Sequence, residues 1–196
     1  MARYSTDHKQ ATRQRIIETA GRRFKETGID GSGIATLMSD AGLTNGAFYA
    51  HFDSKDDLVT AVIADQIGRQ VTELSELPPG RRGLELFVRQ YLSRGHRDHP
   101  EAGCPSAALL DEVGRCTPST KEAYTVGTQA ILTEISSRLA PEQPESALPA
   151  ALSLFTILVG SMQLARALTD RELSDVVLDE GVVSAQAILE ASTAPA

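Results

Sequence analysis

Cysteine occurs only twice, at Cys104 and Cys116. That is too few for a disulfide framework and agrees with a reducing compartment. No apolar run approaches the roughly twenty residues that a membrane span requires. The opening Met-Ala-Arg-Tyr-Ser-Thr-Asp-His-Lys-Gln has no apolar signal core, so a cytoplasmic location without a membrane partner is expected. Strict apolar/polar alternation of strand length is missing, and no segment repeats. The chain has no Gly-x-Ser-x-Gly elbow, no phosphate-binding glycine loop and no dinucleotide fingerprint after a strand. No catalytic residue and no cofactor are therefore expected. Matched Cys/His pairs at structural-zinc spacing are also lacking. His96, His99 and Cys104, with Asp98 and Glu101 between them, run into Pro100 and read better as a solvated polar turn than as a metal site.

What is present is a charge asymmetry. The net charge of -7 argues against nucleic acid, because counterion release by Lys and Arg drives phosphate binding. Yet residues 1–55 carry eight basic and six acidic residues, while the remainder carries eleven and twenty. An acidic body behind a mildly basic head suits a protein that docks on DNA through one end.

Helical periodicity runs through the chain. Residues 1–8 read as a mobile arm. From Lys9 to Thr27, Ile16, Ile17, Ala20 and Phe24 form an apolar stripe with Arg13, Arg22, Arg23 and Lys25 on other faces, and Gly28 is the stop. Ile34, Leu37, Met38 and Ala41 mark a short second helix ending at Gly42, a residue free to take the left-handed turn conformation. Thr44 reads as the N-cap of a third, Asn45 to Ala50, with Ala47 and Phe48 packed inward. Ser54, with Asp57 three residues on, caps a long helix from Lys55 to Glu76, which Pro78-Pro79-Gly80 terminates. Further helices are expected over Leu84–Arg97, Pro105–Val113, Pro118–Leu139, Ser146–Leu168 and Arg171–Ala191. The expectation is an all-α protein of about nine helices.

The segment Phe48-Tyr49-Ala50-His51-Phe52-Asp53-Ser54-Lys55-Asp56-Asp57-Leu58 resembles the signature of the TetR/AcrR family of bacterial transcriptional regulators. The likeness is close over residues 10–60 and continues beyond as a general helical pattern. It implies an N-terminal three-helix, helix-turn-helix DNA-binding domain over residues 1–56. Residues 57–196 would then form a helical domain for effector binding and dimerisation.

The resemblance places Thr44, Asn45, Tyr49 and His51 towards a DNA groove, with Lys55 on a phosphate and Thr36 as a weaker phosphate contact. The residue types suit those tasks, since Asn reaches base edges and Lys, Tyr and His donate to phosphate oxygens. The recognition segment itself holds no Arg or Lys, so its bases are not deducible. A small-molecule effector is implied, in a region to which Val62, Phe87, Tyr91, Leu109, Val113, Tyr124, Phe155 and Met162 contribute. Most of these are equally ordinary core. Cys104, between Gly103 and Pro105 at an expected N-cap, is a candidate thiol sensor, because helix amides favour a thiolate. The commoner reading is a small residue at a helix junction, and Cys116 reads as inert.

The last two helices carry apolar faces that a plain core would explain; the resemblance implies that they meet their copies in a homodimer interface of Leu152, Phe155, Val159, Met162, Val176, Val183 and Ala187. A two-fold pair reads two half-sites roughly 34–36 Å apart, or a multiple of that. The expected function is a ligand-responsive repressor released from double-stranded operator DNA by a small molecule or by modification of Cys104. The alternative is a small-molecule-binding or redox-sensing helical protein with a vestigial head.

Overall fold

The computed structural model describes residues 2–192, and side chains from residue 7 onward. The helices are α1 (Ala2–Thr27), α2 (Ile34–Asp40), α3 (Lys55–Glu76), α4 (Gly80–Tyr91), α5 (Arg94–Asp98), α6 (Pro105–Val113), α7 (Pro118–Leu139), α8 (Leu148–Ala167) and α9 (Arg171–Ala191). Three 3₁₀ helices, Asn45–Ala50, Pro100–Ala102 and Pro144–Ala147, join them. No strand occurs among the described residues, in keeping with the all-α expectation.

The head is built by α1, α2 and the Asn45–Ala50 turn on a dry apolar centre. Ile16, Ala20, Phe24, Leu37, Met38, Phe48 and Phe52 are all 2% exposed or less. The α2 terminus is a Schellman motif. Gly42 has φ 66, its N–H reaches the Ser39 carbonyl, and the Leu43 N–H reaches that of Met38. This sharp reversal sets the angle between α2 and the segment that follows.

The α3 N-terminus is capped as its sequence foretells. Ser54 Oγ accepts the Asp57 N–H at 3.1 Å, and Asp57 Oδ2 accepts the Asp53 N–H at 3.2 Å. The other end of α3 is capped from a distance. Arg138 of α7, 8% exposed, donates to the carbonyls of Leu74, Ser75, Leu77 and Pro78 and is braced by Glu134. One side chain thus satisfies the carbonyls that a terminating helix leaves orphaned.

In the body α3 lies along α7, and α8 along α9. A single buried core runs from Ile16 to Leu189. The expected division at residue 56 falls in the first turn of α3, so the core crosses it without a gap.

Several expectations need correction. Met1 lies outside the described residues, but from Ala2 onward the expected arm is part of α1. The helix foreseen over 84–97 starts at Gly80, breaks at Leu92-Ser93 and restarts, because Ser93 Oγ caps α5 by accepting the His96 N–H. The final pair begins with a 3₁₀ turn at Pro144 instead of a regular helix from Ser146. The stretch Pro144–Ala167 is, by length and a hydropathy of 1.7 alone, apolar enough to cross a bilayer, which the sequence reading missed. Its inner side is nevertheless occupied: Ala151, Leu154, Leu158 and Met162 are fully buried against neighbouring helices.

Candidate nucleic-acid interface and effector cavity

The Asn45–Ala50 segment presents a polar outer face over two buried phenylalanines. Phe48 and Phe52 stack at 5.6 Å between centroids and anchor the segment, and Tyr49 packs edge-on against Phe48 while remaining 66% exposed. Thr44 and Asn45 are exposed beside it, as is Thr36 on α2. Thr44 takes the extended backbone of an N-cap, but its hydroxyl makes no cap bond. The Ala47 N–H goes to the Thr44 carbonyl in 3₁₀ fashion, which leaves the hydroxyl free.

His51 is half-buried, and its Nδ1 has no partner. Burial, with Lys9 and Arg13 of α1 adding repulsion, lowers its pKa. Arg13 also lies 4.7 Å over the Phe52 ring. The N-terminal part of α1 therefore brings two cations to the edge of the recognition segment, which itself has none.

Lys55 is not free in this structure. Its ammonium donates to the Ile29 carbonyl at 2.6 Å, and the Ile29 N–H is accepted by Glu112 Oε2 of α6 at 2.7 Å. The α1–α2 connection is thus held from the head side by Lys55 and from the body side by Glu112.

A cavity of about 520 Å³ opens where α1, α3 and α4 meet the α5–α6 connection. Of the eight residues drawn for an effector region, only Phe87 and Tyr91 line it. Val62, Leu109, Val113, Phe155 and Met162 are buried core, and Tyr124 is half-buried with its hydroxyl on Ser106. The reason is physical. Those apolar side chains fill one another's space, whereas the polar side chains of the α1–α3 seam cannot close-pack and leave room between them.

Cys104 lies on this cavity, 6% exposed. It stands at the N-cap of α6 as foreseen, but its sulfur takes no bond from the helix amides. Instead the thiol donates to Gln70 Oε1 at 3.1 Å, so the argument for a dipole-stabilised thiolate loses its geometry. The Cys104 N–H donates to His96 Nε2 at 3.0 Å while His96 Nδ1 meets the Tyr91 carbonyl at 2.6 Å. Burial lowers the His96 pKa, consistent with a neutral ring protonated on Nδ1. Gly103 permits this arrangement, since a Cβ there would lie 2.3 Å from the imidazole. Cys116 is a free thiol, half-buried, and burial raises its pKa.

The outer side of α8 and α9 exposes Leu148, Leu152, Leu164, Leu173, Val176 and Val183, each 44–58% accessible. Ala187 is exposed on the same α9 face. Phe155, Val159 and Met162, drawn for the interface from sequence, point the other way and are 7% exposed or less.

The family model described as bacterial regulatory proteins, tetR family, matches residues 16–62, the span from the α1 core to the first turns of α3. Residues 16–62 thus carry the tetR-family N-terminal module. Among curated TetR/AcrR-type relatives it is similar to the transcriptional regulator AcrR of Shigella flexneri, 35% identical over 45% of this chain and 37% of that one. It is also similar to TtgR of Pseudomonas putida, 40% identical over 32% and 30%, and to the transcriptional repressor Rv1474c of Mycobacterium tuberculosis, 33% identical over 47% of each. The chain thus spans less than half the length of these curated relatives. Solved structures carry the fold further. The reduced form of Escherichia coli NemR has a TM-score of 0.77 over 90% of this chain and 96% of that one at 20% identity. A TetR-family regulator of Streptomyces coelicolor gives 0.69 over 93% and 96% at 22% identity.

Set on this TetR/AcrR fold, two groups of residues escaped the sequence reading. Arg13 and Lys9 flank the recognition segment, but nothing in their spacing ties them to a segment nearly forty residues on. Lys25 was placed off the apolar stripe of α1, yet it is 8% exposed. Its spacing of four and seven residues from Gly21 and Glu18 puts it on the α1 side facing α3, a signal that its charge obscured.

Proposed function

We propose that the protein is a homodimeric, ligand-responsive transcriptional repressor that reads operator DNA with the Asn45–Ala50 segment. The observation that carries this reading is the exposed Thr44, Asn45 and Tyr49 surface, fixed on buried Phe48 and Phe52 and flanked by Arg13 and Lys9. A rigid scaffold presenting polar side chains beside cations suits groove contacts with phosphate anchoring. Lys55 would leave the Ile29 carbonyl for a phosphate at the start of α3, and His51 and Thr36 would supply further phosphate contacts.

Dimerisation would use the exposed stripe of Leu152, Val176, Val183 and Ala187, whose partners are otherwise water. Release would follow a population shift. An effector in the seam cavity, or modification of Cys104 reached through it, would favour a head position unsuited to the operator. The reading accords with a cytoplasmic protein and assigns no catalytic role.

Fluorescence anisotropy with DNA from upstream of the protein's own gene tests the proposal. Specific binding over an unrelated duplex, reduced at least about tenfold by Tyr49→Ala, supports it. Equal affinity for both duplexes at all salt concentrations would instead favour a sensor protein with a vestigial head.

A further inference from the structure

The seam cavity is furnished for one chemical class of ligand. Lys25 reaches into it from α1 with its ammonium held only by neutral acceptors, Gln66 Oε1 and the Gly103 carbonyl, each at 2.8 Å. Among the described residues no ion pair forms at Lys25; Cys104, Glu73 and Glu101 act on it only from a distance, and Arg166 opposes them. Burial pulls its pKa down to about 8, the mark of a cation short of compensation. An ammonium has three donors, of which two are used.

Tyr91, 4% exposed, supplies a second donor, engaged by nothing stronger than the Cys104 sulfur. Its hydroxyl lies beside the Cys104 sulfur and has no oxygen or nitrogen partner. An orphaned hydroxyl at this depth is uncommon and calls for an explanation. Leu74, Leu77 and Phe87 line the same cavity as its apolar part. At about 520 Å³ the space falls within the range of small-molecule sites, roughly 300–1,000 Å³.

We propose that this cavity binds an amphipathic monocarboxylate, with the carboxylate on Lys25 and the Tyr91 hydroxyl and the hydrocarbon part against Leu74, Leu77 and Phe87. The anion supplies the counter-charge that Lys25 lacks and the acceptor that Tyr91 lacks. A cation could meet Glu73 or Glu101 of the lining but would leave the Lys25 and Tyr91 donors unsatisfied, as a neutral hydrocarbon would. The regulatory consequence rests on the reading given above. Lys25 belongs to the head helix and the Gly103 carbonyl to the body, so a carboxylate that draws the ammonium away removes a bond across the seam.

Calorimetric titration with octanoate and 4-phenylbutanoate, against octan-1-ol and 4-phenylbutan-1-ol as uncharged counterparts, tests the site. The acids are expected to bind at least about tenfold tighter than the alcohols. Lys25→Gln should abolish that preference, Lys25→Arg should keep it, and Tyr91→Phe should weaken the acids several-fold. Thermal melting checks each variant for folding. If Lys25→Gln does not fold, the acid–alcohol comparison and Tyr91→Phe decide.

Equal binding of acid and alcohol, acid binding unchanged in a folded Lys25→Gln, or no acid binding at millimolar concentration overturns the proposal. The same samples are titrated with the protein's own upstream DNA. Specific DNA binding without acid binding rejects the site and keeps the regulator. Acid binding with its Lys25 dependence but no specific DNA binding keeps the site and rejects the regulator.

Discussion

Lys55 holds two positions in this account, one observed and one proposed, and replacing it by alanine separates them. In the free protein its ammonium donates to the Ile29 carbonyl at 2.6 Å, and Glu112 holds the Ile29 N–H at 2.7 Å. A charge-assisted hydrogen bond contributes about 1.5–3 kcal/mol. Lys55 is only half-buried, and solvent screening reduces this to about 1 kcal/mol. In a chain of this size that corresponds to a Tm lowered by about 2–4 °C. The DNA effect has a different signature. Each phosphate contact contributes about 0.9 to the slope of log K against log salt concentration, so a dimer losing one contact per head should show a slope shallower by about 1.8. Glu112→Gln is the control. It weakens the grip on Ile29 from the body side and should lower Tm by a similar amount with the slope unchanged. Melting curves and anisotropy titrations at four or five salt concentrations measure both quantities. An unchanged slope in Lys55→Ala, with the Tm lowered, would show that Lys55 is only a latch on Ile29 and would refute its phosphate role.

Three further outcomes follow from the geometry. Leu152→Glu and Val183→Glu, on the exposed stripe, should give folded monomers by light scattering, whereas Phe155→Glu, 7% exposed on the same helix as Leu152, should fail to fold because it buries an unpaired charge. Arg138→Met should cost about 2–4 kcal/mol in urea unfolding, since it strands the carbonyls at the end of α3; a loss below about 0.5 kcal/mol would mean water replaces the guanidinium. Hydrogen bonds from Arg97 and then Arg171 hold the Asp98 carboxyl down at about 2, against about 3.9 in an unfolded chain. Its contribution is therefore present above pH about 4 and lost as pH falls towards 2, and Asp98→Asn should flatten that limb of the Tm–pH curve.

The head was legible in the sequence because its instructions are local. Gly42 at a left-handed turn, Ser54 with Asp57 at a cap, and Phe48 as an inward anchor each act within a few residues, and all appear where spacing placed them. The body was legible only as a set of helices. Its α8 is apolar nearly all round, so periodicity could not tell the inward side of Phe155, Val159 and Met162 from the outward side of Leu148, Leu152 and Leu164. The cavity was misplaced for a related reason. Apolar residues suggest a pocket but make a core, and the space lies where Lys25, Gln70 and His96 are brought together from three distant segments. Lys25 and Gly103 are 78 residues apart, and no local pattern reports their contact.

The central claim is that two copies of the Asn45–Ala50 segment read one operator. Chemical footprinting of the protein's own upstream DNA tests it most directly. The account predicts two protected half-sites related by a two-fold axis, one helical turn or a multiple apart, both lost in Tyr49→Ala while the variant melts as wild type. Protection of a single tract, or a footprint that persists in Tyr49→Ala, would contradict it.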